Sequence, residues 1–165
     1  MAMSAALRQA FNDQIALEFS AAFAYLAMAA HLEDANLDGF AHWMKVQYGE
    51  ETEHAEKFFH FVLARGERPH LAALPEPAQK FASVEEVFAK ALEHEQKVTA
   101  AINHIYEMAS AEKDYASLPL LQWFVTEQVE EEANVTRILE RLKLVSGHAA
   151  GLLVLDRELA ARKAD

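Results

Sequence analysis

An all-α fold, four long helices packed as a bundle with one long crossover connection and a short fifth helix, is predicted by three observations. Apolar residues recur at intervals of three and four along four long stretches of the chain. Proline is kept out of the interior of those stretches, and three of the four prolines, Pro69, Pro75 and Pro77, fall together in the connection 66–82. A connection of roughly 15 residues is unusual in a compact domain unless it spans something, and here it can run the length of a bundle and leave the second and third helices parallel. One domain, 1–165, is expected.

The first helix is expected over about 5–34, where neither Gly nor Pro interrupts the pattern. Asn36-Leu37-Asp38-Gly39 has turn chemistry, with Asp38 as the cap of a second helix, about 38–65, that Gly66 stops. Ser83-Val84-Glu85-Glu86 fits a capping box, in which Glu86 reaches back toward the cap of a third helix, about 84–112. A junction at 114–119 precedes the fourth helix, about 117–145, which Ser146-Gly147 ends. The segment 149–161 places Leu152, Leu155 and Leu159 on one face and is too short to stand without docking.

Each of the four long helices breaks its own apolar pattern with one acid. Glu18 shares a face with Phe11, Ile15, Ala22 and Tyr25, and Glu51 with Met44, Tyr48, Ala55, Phe58 and Val62. Glu95 lies with Phe88, Leu92, Val98 and Ile102, and Glu131 with Phe124, Gln128, Val135 and Ile138. An unpaired buried carboxylate costs on the order of several kcal/mol. No Lys or Arg shares these faces at nearby helical offsets, so cations from outside the chain are the simplest counter-charge.

If the helices pack antiparallel in pairs, the four acids meet at one level of the core. Their four negative charges balance two divalent cations, with His54, three residues after Glu51, and Gln128 as neutral ligands. The halves of the chain echo each other, Glu18 then Glu51 with His54, Glu95 then Glu131, except that Asn134 stands where a second histidine would fall. A Glu-x-x-His pair alone also fits a solvated helix; three further buried acids reverse that balance.

Glu50, Glu127 and Glu130 sit one residue off the core-facing positions or within a turn of Glu131. Either they hold a third, looser cation or they are solvated acids on a helix flank. Tyr25 either hydrogen-bonds a metal ligand and donates an electron or packs in the core, and Trp123 reads first as packing. His31, His42, His60, His70, His94, His104 and His148 share no pairing pattern and are not assigned to metal.

A net charge of −11 and the lack of a basic arm disfavour nucleic acid and anionic membranes as partners and favour cations. With no cysteine, the remaining ligands are hard or borderline oxygen and nitrogen donors. The apolar run 19–30 is too short to span a bilayer, and Met1-Ala2-Met3-Ser4 lacks the blocks of a signal peptide, so a cytoplasmic location is the default expectation.

The runs 18–25, Gly49-Glu50-Glu51-Thr52-Glu53-His54, His94-Glu95-Gln96 and 121–132 together resemble those of bacterial non-haem ferritins, over nearly the whole chain. The resemblance implies a ferritin-like bundle, a homo-oligomeric cage of 24 subunits, and oxidation of ferrous iron by dioxygen or peroxide with storage of a ferric mineral inside. By position it makes Glu18, Glu51 and His54 ligands of a first iron, with Glu51 bridging to a second held by Glu95, Glu131 and Gln128. It matches Glu50, Glu127 and Glu130 to a third iron site, Tyr25 to a tyrosine beside the centre, and the last helix to the fourfold axis of the shell. Bacterioferritins are also similar but carry a haem-ligating Met where this chain has Thr52, so no haem is expected. Leu118-Pro119-Leu120-Leu121-Gln122 is unlike a polar threefold channel. The alternative is a di-iron or di-manganese oxidase or peroxidase of small oligomeric state; a subunit without an oxidation centre and a DNA-protecting mini-ferritin fit less well.

Overall fold

Ser4 opens the first helix, its hydroxyl accepting from the Leu7 amide at 3.0 Å. The computed structural model describes residues 3–163 and contains α1 (Ala5–Asp34), α2 (Asp38–Ala64), α3 (Val84–Ala111), α4 (Leu118–Leu144) and α5 (Ala149–Leu159). Met1 and Ala2, which begin the segment read above for a leader, lie outside the described residues. The helix limits match expectation within one residue, except that α5 stops at Leu159, two residues early.

Two local expectations are corrected. Asp38 is not the cap of α2: Leu37 holds that position without a side-chain bond, and Asn36 takes the left-handed conformation that turns the chain, with φ of 57°. The capping box of α3 is shifted by a residue. Ser83 accepts from the Glu86 amide as expected, but the Glu86 carboxylate bonds the amide of Ala82. Gly66 and Gly147 do end α2 and α4, both with φ of 77°.

Two apolar clusters show how the helices run. One gathers Met28 and Leu32 late in α1, Phe40 and Met44 early in α2, Phe88 early in α3, and Ile138 and Leu142 late in α4. The other gathers Leu7 and Phe11, Phe58 and Val62, Ile102 and Ile105, and Leu121 and Phe124, from the opposite ends of the same four helices. Therefore α2 and α3 run parallel to each other and antiparallel to α1 and α4. The connection between them returns along α1: Glu67 pairs with Arg8 at 2.8 Å, the His70 amide donates to Asn12 at 2.9 Å, and Phe81 reaches His31, with ring centroids 5.2 Å apart. Between the clusters lies a layer of buried polar residues.

By length and composition α1 is apolar enough to cross a bilayer, more than the run 19–30 suggested. Its buried side nevertheless carries Asn12, Gln14 and Glu18.

The last helix docks on the start of α2 through Leu155, which is buried, and through Asp156, whose carboxylate accepts from the Phe40 amide at 2.9 Å. Gly39 makes this approach possible. A Cβ there would lie 1.7 Å from the Asp156 carbonyl oxygen, so only a residue without one fits. Gly39→Ala is expected to lower stability in urea denaturation by about 1–3 kcal/mol and to free α5 to proteolysis. Gly49→Ala, where nothing lies within 4 Å, is expected to raise stability by about 0.5–1 kcal/mol.

Candidate metal centre

Glu18, Glu51, Glu95 and Glu131 all point inward and are at most 4% exposed, with His54 and Gln128 buried beside them. Each sits near the middle of its helix, where the apolar stripe that buries its neighbours buries it too. Tyr48, expected on the same face, is instead 37% exposed, and Leu92 is half-buried at the edge of its stripe. Among the described residues no Lys or Arg pairs with any of the four acids.

Ligand atoms of Glu18, Glu51 and His54 lie within 4.8 Å of one another, as do those of His54, Glu127 and Glu131. His54 joins the two groups. Its Nδ1 is 3.6 Å from Glu51 and its Nε2 is 3.8 Å from Glu127, while Trp123 and Phe124 pack edge-on against the ring. A proton on Nε2, facing Glu127, leaves the Nδ1 lone pair directed at Glu51. Trp123 is 39% exposed and therefore belongs to the rim, with Lys57 over its face at 4.6 Å.

Amides on three helices hold the carboxylates. Gln14 donates to Glu18 at 2.8 Å and Gln47 to Glu131 at 3.0 Å. Gln128 donates at 3.3 Å toward Glu95 and toward the Thr99 hydroxyl, and the Tyr25 hydroxyl donates to Glu95. Gln14, Gln47 and Thr99 were not among the residues expected here. A signal existed, since Gln14 precedes Glu18 and Gln47 precedes Glu51 by one helical turn, which puts each amide on an acid's own buried face.

Around this layer are buried atoms with no hydrogen-bond partner: Glu18 Oε2, both oxygens of Glu51, His54 Nδ1 and the amide oxygens of Gln14, Gln47 and Gln128. Buried polar atoms are normally satisfied. Among the described residues no side chain outside this set donates to these atoms, and a cation can be shared by several of them at once. Carboxylate, imidazole and amide oxygen suit a divalent first-row transition metal.

The residues of the second acidic group are dispersed. Glu127 turns toward His54, Glu130 is exposed, and Glu50 pairs with Arg162 at 2.6 Å. Neither Glu50 nor Glu130 joins either ligand grouping.

Without cations, burial favours the protonated form of all four acids. Burial, then the charge of Glu51, raises Glu18 well above the ordinary carboxylate range; burial, then Glu95 and Glu131, does the same at Glu51. Burial pushes Glu95 up to about 7 against the opposing bonds from Tyr25 and Gln128, and burial with the Glu95 charge pushes Glu131 up to about 7. Burial and the Glu95 charge raise Tyr25, which stays a neutral phenol.

For an acid raised on folding, the folded state binds more protons than the unfolded one, so stability falls as pH climbs from the ordinary carboxylate value toward about 7. Glu95→Gln removes that loss. In metal-free protein the stability advantage of Glu95→Gln over wild type in urea denaturation is expected to widen between about pH 5 and about pH 8, reaching on the order of a few kcal/mol. Excess divalent metal should close the gap, because the ions then balance the wild-type charge.

Comparison with known proteins agrees with this geometry. Residues 8–145 match a family described as Ferritin, a ferritin-like domain. The bacterial non-heme ferritin of Staphylococcus haemolyticus is 38% identical over 163 residues, spanning 99% of this chain and 98% of that protein. The corresponding protein of Staphylococcus aureus is 36% identical over the same share. Among solved structures, an open-pore ferritin from Archaeoglobus fulgidus superposes with a TM-score of 0.97 at 43% identity, over 99% of this chain and all of that one. An engineered closed form of that ferritin gives 0.97 at 44% identity.

Proposed function

The chain belongs to the ferritin family, and from that premise we propose that it is an iron-storage ferritin with its own ferroxidase centre. Ferrous iron is the substrate. Glu18, Glu51 and His54 take one ion, Glu95, Glu131 and Gln128 the other, and Glu51 bridges them. The observation that carries this reading is the group of buried acceptors without donors, drawn from three helices around the layer of acids. Four carboxylates and two divalent ions leave no net charge in the core.

The chemistry needs little from the protein beyond placement. Each ferrous ion gives up one electron, and a single dioxygen or peroxide molecule takes the pair, so the two ions must sit side by side. Tyr25, a neutral phenol, donates to Glu95 and so orients that carboxylate toward the second ion. Gln128 carries no charge and should hold a ferric ion less tightly than a carboxylate does, which lets product leave for a ferric oxyhydroxide mineral. Glu50, Glu127 and Glu130 would serve a third, looser position.

A cage of 24 subunits is part of the proposal. Phe23, Leu71, Val129, Leu144, Leu153 and Val154 are large apolar side chains exposed on the single subunit, and assembly gives them partners.

Glu51→Ala and His54→Ala are each expected to lower the initial rate of ferrous oxidation at least about 100-fold while the particle keeps its size on light scattering. Unchanged initial rates would sink the assignment. A wild-type particle of only two subunits would point instead to a small-molecule oxidase or peroxidase.

A further inference from the structure

One chain cation does reach the edge of the centre, from the far end of the sequence. Arg162 follows α5 and extends back along α2, where its guanidinium lies 2.6 Å from the Glu50 carboxylate and stacks over Trp43 at 4.4 Å. The contact is built rather than incidental. The Arg162 carbonyl bonds His42 Nε2 at 2.8 Å, Asp156 one helical turn and a half earlier bonds the start of α2, and both side chains of the pair are less than one-fifth exposed. Arg162 also lines, with Trp43, Glu130 and the cations Arg137, Arg141 and Lys163, a cleft of about 460 Å³ between α2, α4 and the C-terminal segment. Its guanidinium is thus in contact with one acid of the proposed third position, Glu50, and lines a cleft with another, Glu130.

We propose that Arg162 is a resident counter-cation of that position, and that a third divalent ion binds there by displacing its guanidinium from Glu50. The docking of α5 thereby sets how many ions one subunit holds beside its centre. A charge-assisted hydrogen bond and a contact with an aromatic face must both be broken before a metal takes Glu50, which weakens the third ion without touching the ligands of the first two. The inference rests on the two-ion reading above and adds to it a residue that competes with substrate.

The test is an anaerobic calorimetric titration of the full-length assembled protein with cobalt(II), comparing wild type, Arg162→Gln, Arg162→Lys and the double variant Glu50→Gln/Arg162→Gln. All should keep two tight equivalents. Arg162→Gln should bind a third about 10- to 100-fold more tightly than wild type, the range expected when one charge-assisted bond is removed from competition. Arg162→Lys should return toward wild type, and the double variant should lose the gain. A third equivalent unchanged by Arg162→Gln overturns the proposal. Absence of the first two equivalents in wild type overturns the two-ion reading and this inference with it. Should Arg162→Gln fail to assemble, wild-type crystals soaked in saturating cobalt(II) decide. An ion on Glu50 with Arg162 swung away supports displacement; an ion beside Glu50 with the pair intact, or no ion there at all, overturns it.

Discussion

Charge balance at the middle of the bundle governs the rest of the structure. Four carboxylates lie at one level, almost wholly out of water, and in the absence of metal the only way to quiet them is to leave protons on them, which burial and mutual repulsion do. That state is inferior to two divalent ions, because a proton satisfies one oxygen whereas an ion is shared by several ligands.

The two apolar clusters make this layer tolerable. Each closes one end of the bundle with aromatic packing, including the stacked pair Phe58 and Phe124, 4.1 Å apart, directly beyond His54. They keep water from the acids and hold the helices in register, so that residues far apart in sequence share one plane. Within the plane the amides of Gln14, Gln47 and Gln128 aim the carboxylates. Aiming matters for the proposed two-ion site, since a side chain free to turn outward would bind an ion less tightly.

At the start of α2 a second device operates. Asn36 turns the chain, Gly39 lets α5 approach backbone to backbone, and Asp156 then satisfies an amide at the open end of α2. The same docking carries Arg162 to Glu50. One short helix thus links the surface of the chain to the edge of its buried acidic layer.

The sequence alone determined the helix count, the crossover, and that Glu18, Glu51, His54, Glu95, Gln128 and Glu131 lie on buried faces, because helical periodicity is local and a charged residue on an apolar face is visible within two turns. It also marked the unusual proline-rich connection. Tertiary structure decided what periodicity does not contain: that Tyr48 falls outside the core, that Gln14 and Gln47 are the donors holding two of the acids, and that Glu50 meets an arginine 112 residues away. The physical reason is the range of the interactions. A face on one helix follows from a repeat of 3.6 residues, whereas a partner across the bundle follows only from how five helices come to lie against one another.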